Sequence, residues 1–255
     1  MLLVPLTVDA QISQPPEFQG SPKFRTNPNT GTIDGTSHIS AEREQINEEL
    51  VKHLRGLEGY ADGVRLIDNH MVAAAQEEFR KKRLSIGVAV TQFLLGQEDA
   101  SSEGLCSLAE KQPRDLQLLP FLGSTVGAVP AFAERMLRLI RETAMANPKS
   151  SDAQFYWAQA LLKQTPARTS EAMPLLQQSS KLDKKQTRAL MELGRQYTLL
   201  GQLPNAIDAF KETLSRDGNL AAAHYRLSQL YRSTGQKEKS LEHIRQFQKM
   251  QELKP

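Results

Sequence analysis

Apolar residues recur at helical spacing through the C-terminal third of the chain. Between residues 189 and 210 the large apolar side chains fall three or four positions apart, both before and after Gly201. Residues at this spacing lie on one face of an α-helix, so the stretch predicts two amphipathic helices joined at the glycine. The stretch from 223 to 244 has the same layout around Gly235. The pattern therefore predicts one helical hairpin written twice in succession.

The first forty residues show no such pattern. Residues 11–40 hold only five apolar side chains, with four prolines and three glycines. This is too little apolar surface to offset the entropy of ordering the chain, so we expect a flexible, disordered lead segment over 1–40. Helical spacing begins after Ser40, a suitable N-cap, and no alternating run that would indicate a strand follows it. The sequence thus predicts an all-α domain over 41–255.

The two hairpins match residue by residue at a separation of 34 positions. The matching pairs are Leu193 and Leu227, Gly194 and Ser228, Tyr197 and Tyr231, Gly201 and Gly235, Ala206 and Ser240, and Phe210 and Ile244. The small residues among them allow two helices to approach closely, and the large ones fill the space around that contact. Gly201 and Gly235 stand where the first helix must end in a left-handed cap, and Pro204 stands where the second helix starts.

These residues resemble the tetratricopeptide repeat family, whose 34-residue unit has a large residue, then Leu-Gly, then Tyr, and later Ala and Phe. The unit over 187–220 matches that pattern at Leu190, Leu193, Gly194, Tyr197, Ala206 and Phe210. The unit over 221–254 matches it at His224, Leu227, Ser228, Tyr231, Ser240 and Ile244. The resemblance weakens upstream, where 151–186 keeps Trp157, Ala158 and Leu161, and 58–150 keeps scattered matches such as Ile86, Gly87, Ala75 and Phe79.

The resemblance implies an α-solenoid, a right-handed superhelical array of about five antiparallel hairpins over 58–255, since one such hairpin cannot bury its apolar face alone. In this family the first helices line a groove that binds peptides. Mapped onto this sequence, the groove positions are Phe155, Gln159, Lys163, Arg188, Met191, Arg195, Tyr225, Gln229 and Arg232. Cations beside large apolar side chains suit an extended, acidic peptide. The alternative that these residues only solvate the groove, or are covered by the chain's own terminal segment, stays open.

The sequence therefore predicts a non-catalytic scaffold that binds a protein or peptide partner. Two alternatives stay open: an accessory or regulatory subunit of a secreted or periplasmic enzyme or assembly system, and an RNA-binding helical repeat. The last two units lack the recurring pair of polar code positions that helical RNA readers use, so no nucleic acid is expected. A co-chaperone role is not supported, because only Arg226 fits the five positions with which such proteins grip chaperone carboxylates.

Composition narrows the range of possible functions a little further. The net charge of +3 is too small to indicate a nucleic-acid or membrane-surface partner, although residues 181–255 carry 14 basic against 8 acidic side chains, which favours an acidic partner. The single cysteine, Cys106, rules out an internal disulfide and is expected in the core. No apolar run approaches the roughly 20 residues of a membrane span.

Candidate chemistry is sparse, and we expect no catalytic residue, metal or cofactor. The five histidines lack metal-ligand spacing, His224 is expected to pack in the core, and Asp68 and Asn69 are better explained as a turn entering a helix. Residues 1–11 look like the end of a secretory signal, but they lack its basic region. A periplasmic or secreted protein and a cytoplasmic protein with an ordinary disordered start both stay open.

Overall fold

The computed structural model describes the backbone of residues 35–252 and the side chains from residue 41 onward. The predicted lead segment and signal-like start therefore lie outside the described residues, except for 35–40. That short stretch belongs to the first helix, which begins at Gly35, upstream of the predicted start at Ser40. The chain divides into two contact units after Gln45, and the unit from Ile46 onward contains the repeats.

The described residues form α-helices joined by short turns, and no strand occurs among them. In chain order the helices are α1 (Gly35–Arg55), α2 (Ala61–Asp68), α3 (Val72–Lys81), α4 (Ser85–Leu94), α5 (Glu98–Lys111), α6 (Leu119–Thr125), α7 (Ala133–Ala146), α8 (Ser151–Leu162), α9 (Thr169–Leu182), α10 (Arg188–Leu199), α11 (Leu203–Arg216), α12 (Ala221–Ser233) and α13 (Lys237–Glu252). Short 3-10 turns at Leu116–Leu118 and Pro130–Phe132 precede α6 and α7.

From α2 onward the helices pair into successive antiparallel hairpins, α2 with α3 through to α12 with α13. Each hairpin also packs on the next, which is the α-solenoid arrangement that the repeat pattern predicts. The described residues hold six hairpins, where the sequence indicated about five. The extra hairpin is α2–α3, for which the sequence showed only the matches at Ala75 and Phe79 in the second helix.

A glycine against an aromatic ring sets the distance between helices both in α10–α11 and far upstream in α2–α4. A Cβ added to Gly194 of α10 would lie 2.6 Å from Cζ of Phe210 in α11. Upstream, the ring of Phe79 in α3 is packed between Gly63 of α2 and Gly87 of α4, and a Cβ on either glycine would overlap it, at 2.2 and 2.5 Å. The degenerate α2–α3 hairpin is therefore closed by the same glycine–ring contact as the well-matched α10–α11 hairpin, and Gly87 brings the next hairpin onto the same ring.

Backbone conformation ends the first helices where the sequence predicts. Gly201 and Gly235 have φ of +71° and +75°, in the left-handed region that side chains with a Cβ disfavour. Pro204 lies in the first turn of α11, where its missing amide hydrogen leaves no helical bond unmade. In the last hairpin, the Ser240 hydroxyl donates to the Ser228 carbonyl at 2.9 Å, so this small pair lies in contact as expected.

Two clusters of buried apolar side chains run through the array. The larger extends from Leu50 of α1 to Ala209 of α11 and includes the fully buried Cys106. Burial raises the pKa of the Cys106 thiol to about 11, so it behaves as a small core residue. The smaller cluster joins α11 to α12 and consists of Ala206, Phe210, Leu227, Leu230 and Tyr231.

Candidate functional site

Two cavities lie along the first helices of the last three hairpins, and both are lined by Arg195, Phe210 and Arg226. We call these two cavities together the α8–α12 groove. One cavity has a volume of about 320 Å³ and is lined by Phe155, Thr187, Arg188, Met191, Glu192, Arg195, Phe210, Leu220, Ala222 and Arg226. The other has a volume of about 450 Å³ and is lined by Arg195, Thr198, Leu199, Leu203, Phe210, Arg226, Gln229, Leu230 and Ser233.

Large apolar side chains form much of the groove wall. Phe210 is buried and Phe155 is only 7% exposed, while Leu199 is 69% exposed at the end of α10. The Arg188 guanidinium carbon lies 4.8 Å from the centre of the Phe155 ring, in a cation–π arrangement. The groove thus combines an apolar surface with cations held above it, a combination suited to a peptide with both kinds of side chain.

Two of the three groove arginines already have acidic partners. Arg188 donates to the Asp152 carboxylate at 2.6 Å and to the Tyr156 hydroxyl at 3.0 Å. Arg195 donates to the Glu192 carboxylate three residues before it, with contacts of 2.6 to 3.1 Å. These pairs are solvent-accessible, so each stabilises the fold by less than about 1 kcal/mol and can exchange partners.

Arg226 differs from the other two. Its guanidinium reaches only the Gln229 side-chain oxygen, at 3.4 Å, and no carboxylate pairs with it in the part of the chain that the structure describes. Arg226 lines both cavities. Arg226 is therefore the groove cation whose charge is available to an acidic ligand.

The upstream end of the same helix face is not open, because α1 covers it. The Ser124 hydroxyl of α6 donates to the Glu49 carboxylate of α1 at 3.1 Å. The His53 ring lies 5.7 Å from Phe121 and 6.4 Å from Tyr156, edge to face. Burial lowers the pKa of His53, with Glu49 acting in the opposite direction. The chain's own helix thus lies where a ligand would otherwise contact α6 and α8.

Lys163, a predicted groove residue, bonds to α6 in the region that α1 covers. Its ammonium donates to the carbonyls of Gly123 and Ser124 at 2.7 and 3.1 Å, at the C-terminus of α6. Burial lowers the pKa of Lys163, while Glu49 partly offsets that shift. The half-buried Gln159 lies beside Gly123. Lys163 thus bonds the α8–α9 hairpin to α6 of the preceding one, a role that no repeat pattern reveals.

The structure brings five of the nine predicted residues to the open groove: Phe155, Arg188, Met191, Arg195 and Gln229. Tyr225 packs instead on Phe247 of α13, with ring centres 5.2 Å apart. Arg232 is exposed and lines neither cavity. Arg226 was not among the nine predicted groove residues, although the sequence comparison had identified it as the one residue that fits a carboxylate-gripping position of the family, and that match could have found it.

The residues examined for other chemistry have structural roles. Asn69 and His70 form the turn that leads into α3, as expected, but Asp68 is the last residue of α2 and the residue that precedes α3 is Met71, so neither Asp68 nor Asn69 caps that helix. His224 is 9% exposed and packs in the last hairpin, as expected. Across the described residues no group of three or more His, Cys, Asp or Glu side chains could hold a metal. None of the helices described combines the length and apolar character that crossing a bilayer requires.

This fold is that of tetratricopeptide-type helical repeat proteins. Among solved structures, the chain is similar to a crystal structure of MamA, with a TM-score of 0.53 and 15% identity over 65% of this chain and 95% of that one. It is also similar to the MamA RS-1 ArsTM double mutant, with a TM-score of 0.53 and 16% identity over 67% of this chain and 94% of that one.

A third similar structure is TTC0263, a thermophilic TPR protein of Thermus thermophilus, with a TM-score of 0.48 and 16% identity over 64% of this chain and 88% of that chain. At these identities the likeness concerns the fold. No protein-family model and no curated protein matches the chain.

Proposed function

We propose that this protein is a non-catalytic scaffold whose α8–α12 groove binds a segment of a partner protein that carries a carboxylate beside large apolar side chains. The observation that carries the proposal is Arg226, a groove cation without an acidic partner among the described residues, set beside the apolar surface of Phe155 and Phe210. The tetratricopeptide-type fold supports a binding role for this face.

The chemistry of the groove supports an acidic ligand in particular. A carboxylate placed on Arg226 would accept charge-assisted hydrogen bonds, which are about twice as strong as neutral ones. Arg188 and Arg195 flank that position, but Asp152 and Glu192 already compensate their charges. One carboxylate therefore satisfies the open cation, whereas a highly acidic ligand would meet repulsion from Asp152 and Glu192.

The apolar wall supplies the second requirement. Met191 is half-buried, and Leu220 and Leu230 extend the wall along α12. Covering such side chains with a ligand's apolar groups gives roughly 25 cal/mol per Å² of surface removed from water. The ligand that fits both requirements has large apolar residues on either side of a single Asp or Glu.

Selection from a random peptide library displayed on phage tests this proposal, because it requires no named partner. Peptides selected on the wild-type protein are expected to be enriched in Asp or Glu flanked by large apolar residues. Arg226→Glu is expected to weaken these peptides by about tenfold to a hundredfold, since a hydrogen bond to a charged group contributes about 1.5–3 kcal/mol.

The matched control is Arg245→Glu, the same charge reversal at an exposed position of α13 outside the groove. It should leave the affinities unchanged. Selected peptides without acidic residues, or equal losses in the two variants, would contradict the proposal.

A further inference from the structure

A third cavity lies on the opposite side of α8 from the groove. Its volume is about 460 Å³, and it is lined by Glu134, Arg135, Leu137, Arg138, Arg141, Trp157, Leu161, Arg168 and Glu171, from α7, α8, α9 and the turn before α9. Trp157 follows Phe155 by two positions in α8, so the two rings point to opposite faces of the helix. This cavity is therefore separate from the α8–α12 groove.

The lining is rich in arginine, and two of its four arginines make close contacts with carboxylates. Arg135 donates to the Glu110 carboxylate at 2.8 and 2.9 Å and to Glu103 at 2.7 Å. Arg168 makes a two-fold contact with Glu171, with both distances 2.7 Å. These arginines have acidic partners that hold them in place.

The other two arginines keep unused donors. Arg138 approaches Glu110 at 3.5 Å and Glu142 at 3.8 Å, which are long contacts for an ion pair. Arg141 makes no ion pair with any residue that the structure describes. They stand three positions apart on α7, so their guanidinium groups lie on neighbouring positions of one helix face. Two forked donors side by side match the oxygens of a phosphate group.

An aromatic ring adjoins this pair of cations. Trp157 is half-buried, packs against the main core and lines the cavity together with Leu137 and Leu161. An indole presents a flat face on which another aromatic ring can stack. Small-ligand sites commonly have volumes of about 300–1,000 Å³ and combine apolar walls with a few polar groups, and this cavity falls in that range.

We propose that this cavity binds an aromatic ring system that carries a phosphate group, with the phosphate on Arg138 and Arg141 and the ring against Trp157. Glu134 and Glu171 also line the cavity. They exclude a second large anionic group from that side, so the proposed ligand has a single phosphate. Two sources supply this chemistry, a nucleoside monophosphate and the side chain of a phosphorylated tyrosine.

The fluorescence of Trp157 reports directly on this site, since it is the only tryptophan of the chain. The protein is titrated with AMP and with phenyl phosphate, which represent the two sources, and calorimetry checks the affinities. At least one of these two ligands is expected to change the fluorescence in a saturable way. The ligand with the higher affinity identifies the source. Adenosine, phenol and inorganic phosphate, which each lack one half of the ligand, should bind at least about tenfold more weakly.

The variant Arg138→Gln/Arg141→Gln removes both phosphate donors at exposed positions and should weaken binding by about a hundredfold, roughly tenfold for each lost charged contact. Arg65→Gln, at an exposed position of α2, is the control for loss of positive charge and should bind as the wild type does. The proposal is overturned if neither AMP nor phenyl phosphate gives a saturable change, if inorganic phosphate binds equally well, or if the double variant retains full affinity.

Discussion

At the scale of single residues, the array depends on glycines that face aromatic rings. Gly194 lies so close to Phe210 that a methyl group has no space unless the ring or a helix moves. The repeat pattern identified both residues, because a small residue and a large one at fixed positions are what close helix packing requires. The same contact around Phe79 was not evident from sequence, since Gly63 and Gly87 lie in hairpins whose other positions have drifted.

We predict that Gly194→Ala lowers the free energy of unfolding by about 1–3 kcal/mol, the usual cost of overfilling a packed core. Urea unfolding followed by circular dichroism measures the loss. Gly218→Ala is the control, because a Cβ there would meet only the Leu214 carbonyl at 3.7 Å.

Replacing Phe210 by Leu in the Gly194→Ala protein should recover part of that loss, so the two substitutions are expected to be non-additive. Equal destabilisation by Gly194→Ala and Gly218→Ala would show that the glycine–ring contact does not set the helix spacing.

At the scale of an element, a histidine pair joins the last two helices. Nδ1 of His224 in α12 lies 2.9 Å from Nδ1 of His243 in α13, and Nε2 of His224 lies 3.3 Å from the Gly218 carbonyl. His243 also stacks on Tyr231, with ring centres 5.6 Å apart. A hydrogen bond between two ring nitrogens needs one donor and one acceptor, so it is lost when both rings are protonated.

Protonation of His243 is unfavourable in the folded state. Burial, followed by the charge of His224, lowers the pKa of His243 below its ordinary value of 6.5, and Glu242 acts in the opposite direction. Lys239, whose ammonium lies 5.3 Å from the Tyr231 ring, adds a further positive charge nearby. The unfolded chain therefore binds protons more readily than the folded hairpin as the pH falls through 6.5.

We accordingly predict that α12 and α13 lose stability as the pH is lowered from 7.5 to about 5.5, the interval that contains the ordinary pKa of histidine. Amide hydrogen exchange, corrected for the intrinsic exchange rate at each pH, measures the loss of stability. The expected result is a drop in protection that is confined to α12 and α13. His243→Gln should reduce the pH dependence, and protection of α10 and α11 in the same molecule is the internal reference. Unchanged protection of α12 and α13 across the interval would contradict the role of the pair.

At the scale of the whole molecule, the hairpin face has two parts that differ in what covers them. The α6–α8 end is covered by α1 through Glu49 and His53, and the α8–α12 end is open. Because each hairpin of an array contacts only its neighbours, the two ends are set by separate groups of residues. The binding function proposed here belongs to the open end.

Much of the fold could be predicted from the sequence, because local signals determine it. Gly201, Gly235 and Pro204 mark helix ends by their own backbone preferences, and the pairing of Gly194 with Phe210 follows from the period. Less of the candidate site could be predicted. Lys163 bonds to the carbonyls of Gly123 and Ser124, and the Ser124 hydroxyl donates to Glu49 of α1, 75 residues away in sequence, so no local pattern carries that information. The availability of Arg226 depends on which carboxylates pair with its neighbours, which only the packed structure reveals.

The central claim is that the α8–α12 groove is the surface that receives another polypeptide. Photocrosslinking from a benzoylphenylalanine placed at Ala222, an exposed residue that lines the groove, tests it most directly in the organism's own cells. The matched position is Ser215, which is exposed on α11 outside both cavities. We predict adducts with a partner polypeptide from position 222, their loss when Arg226→Glu is added, and none from position 215. Adducts of equal yield from both positions, or none from position 222, would contradict the account.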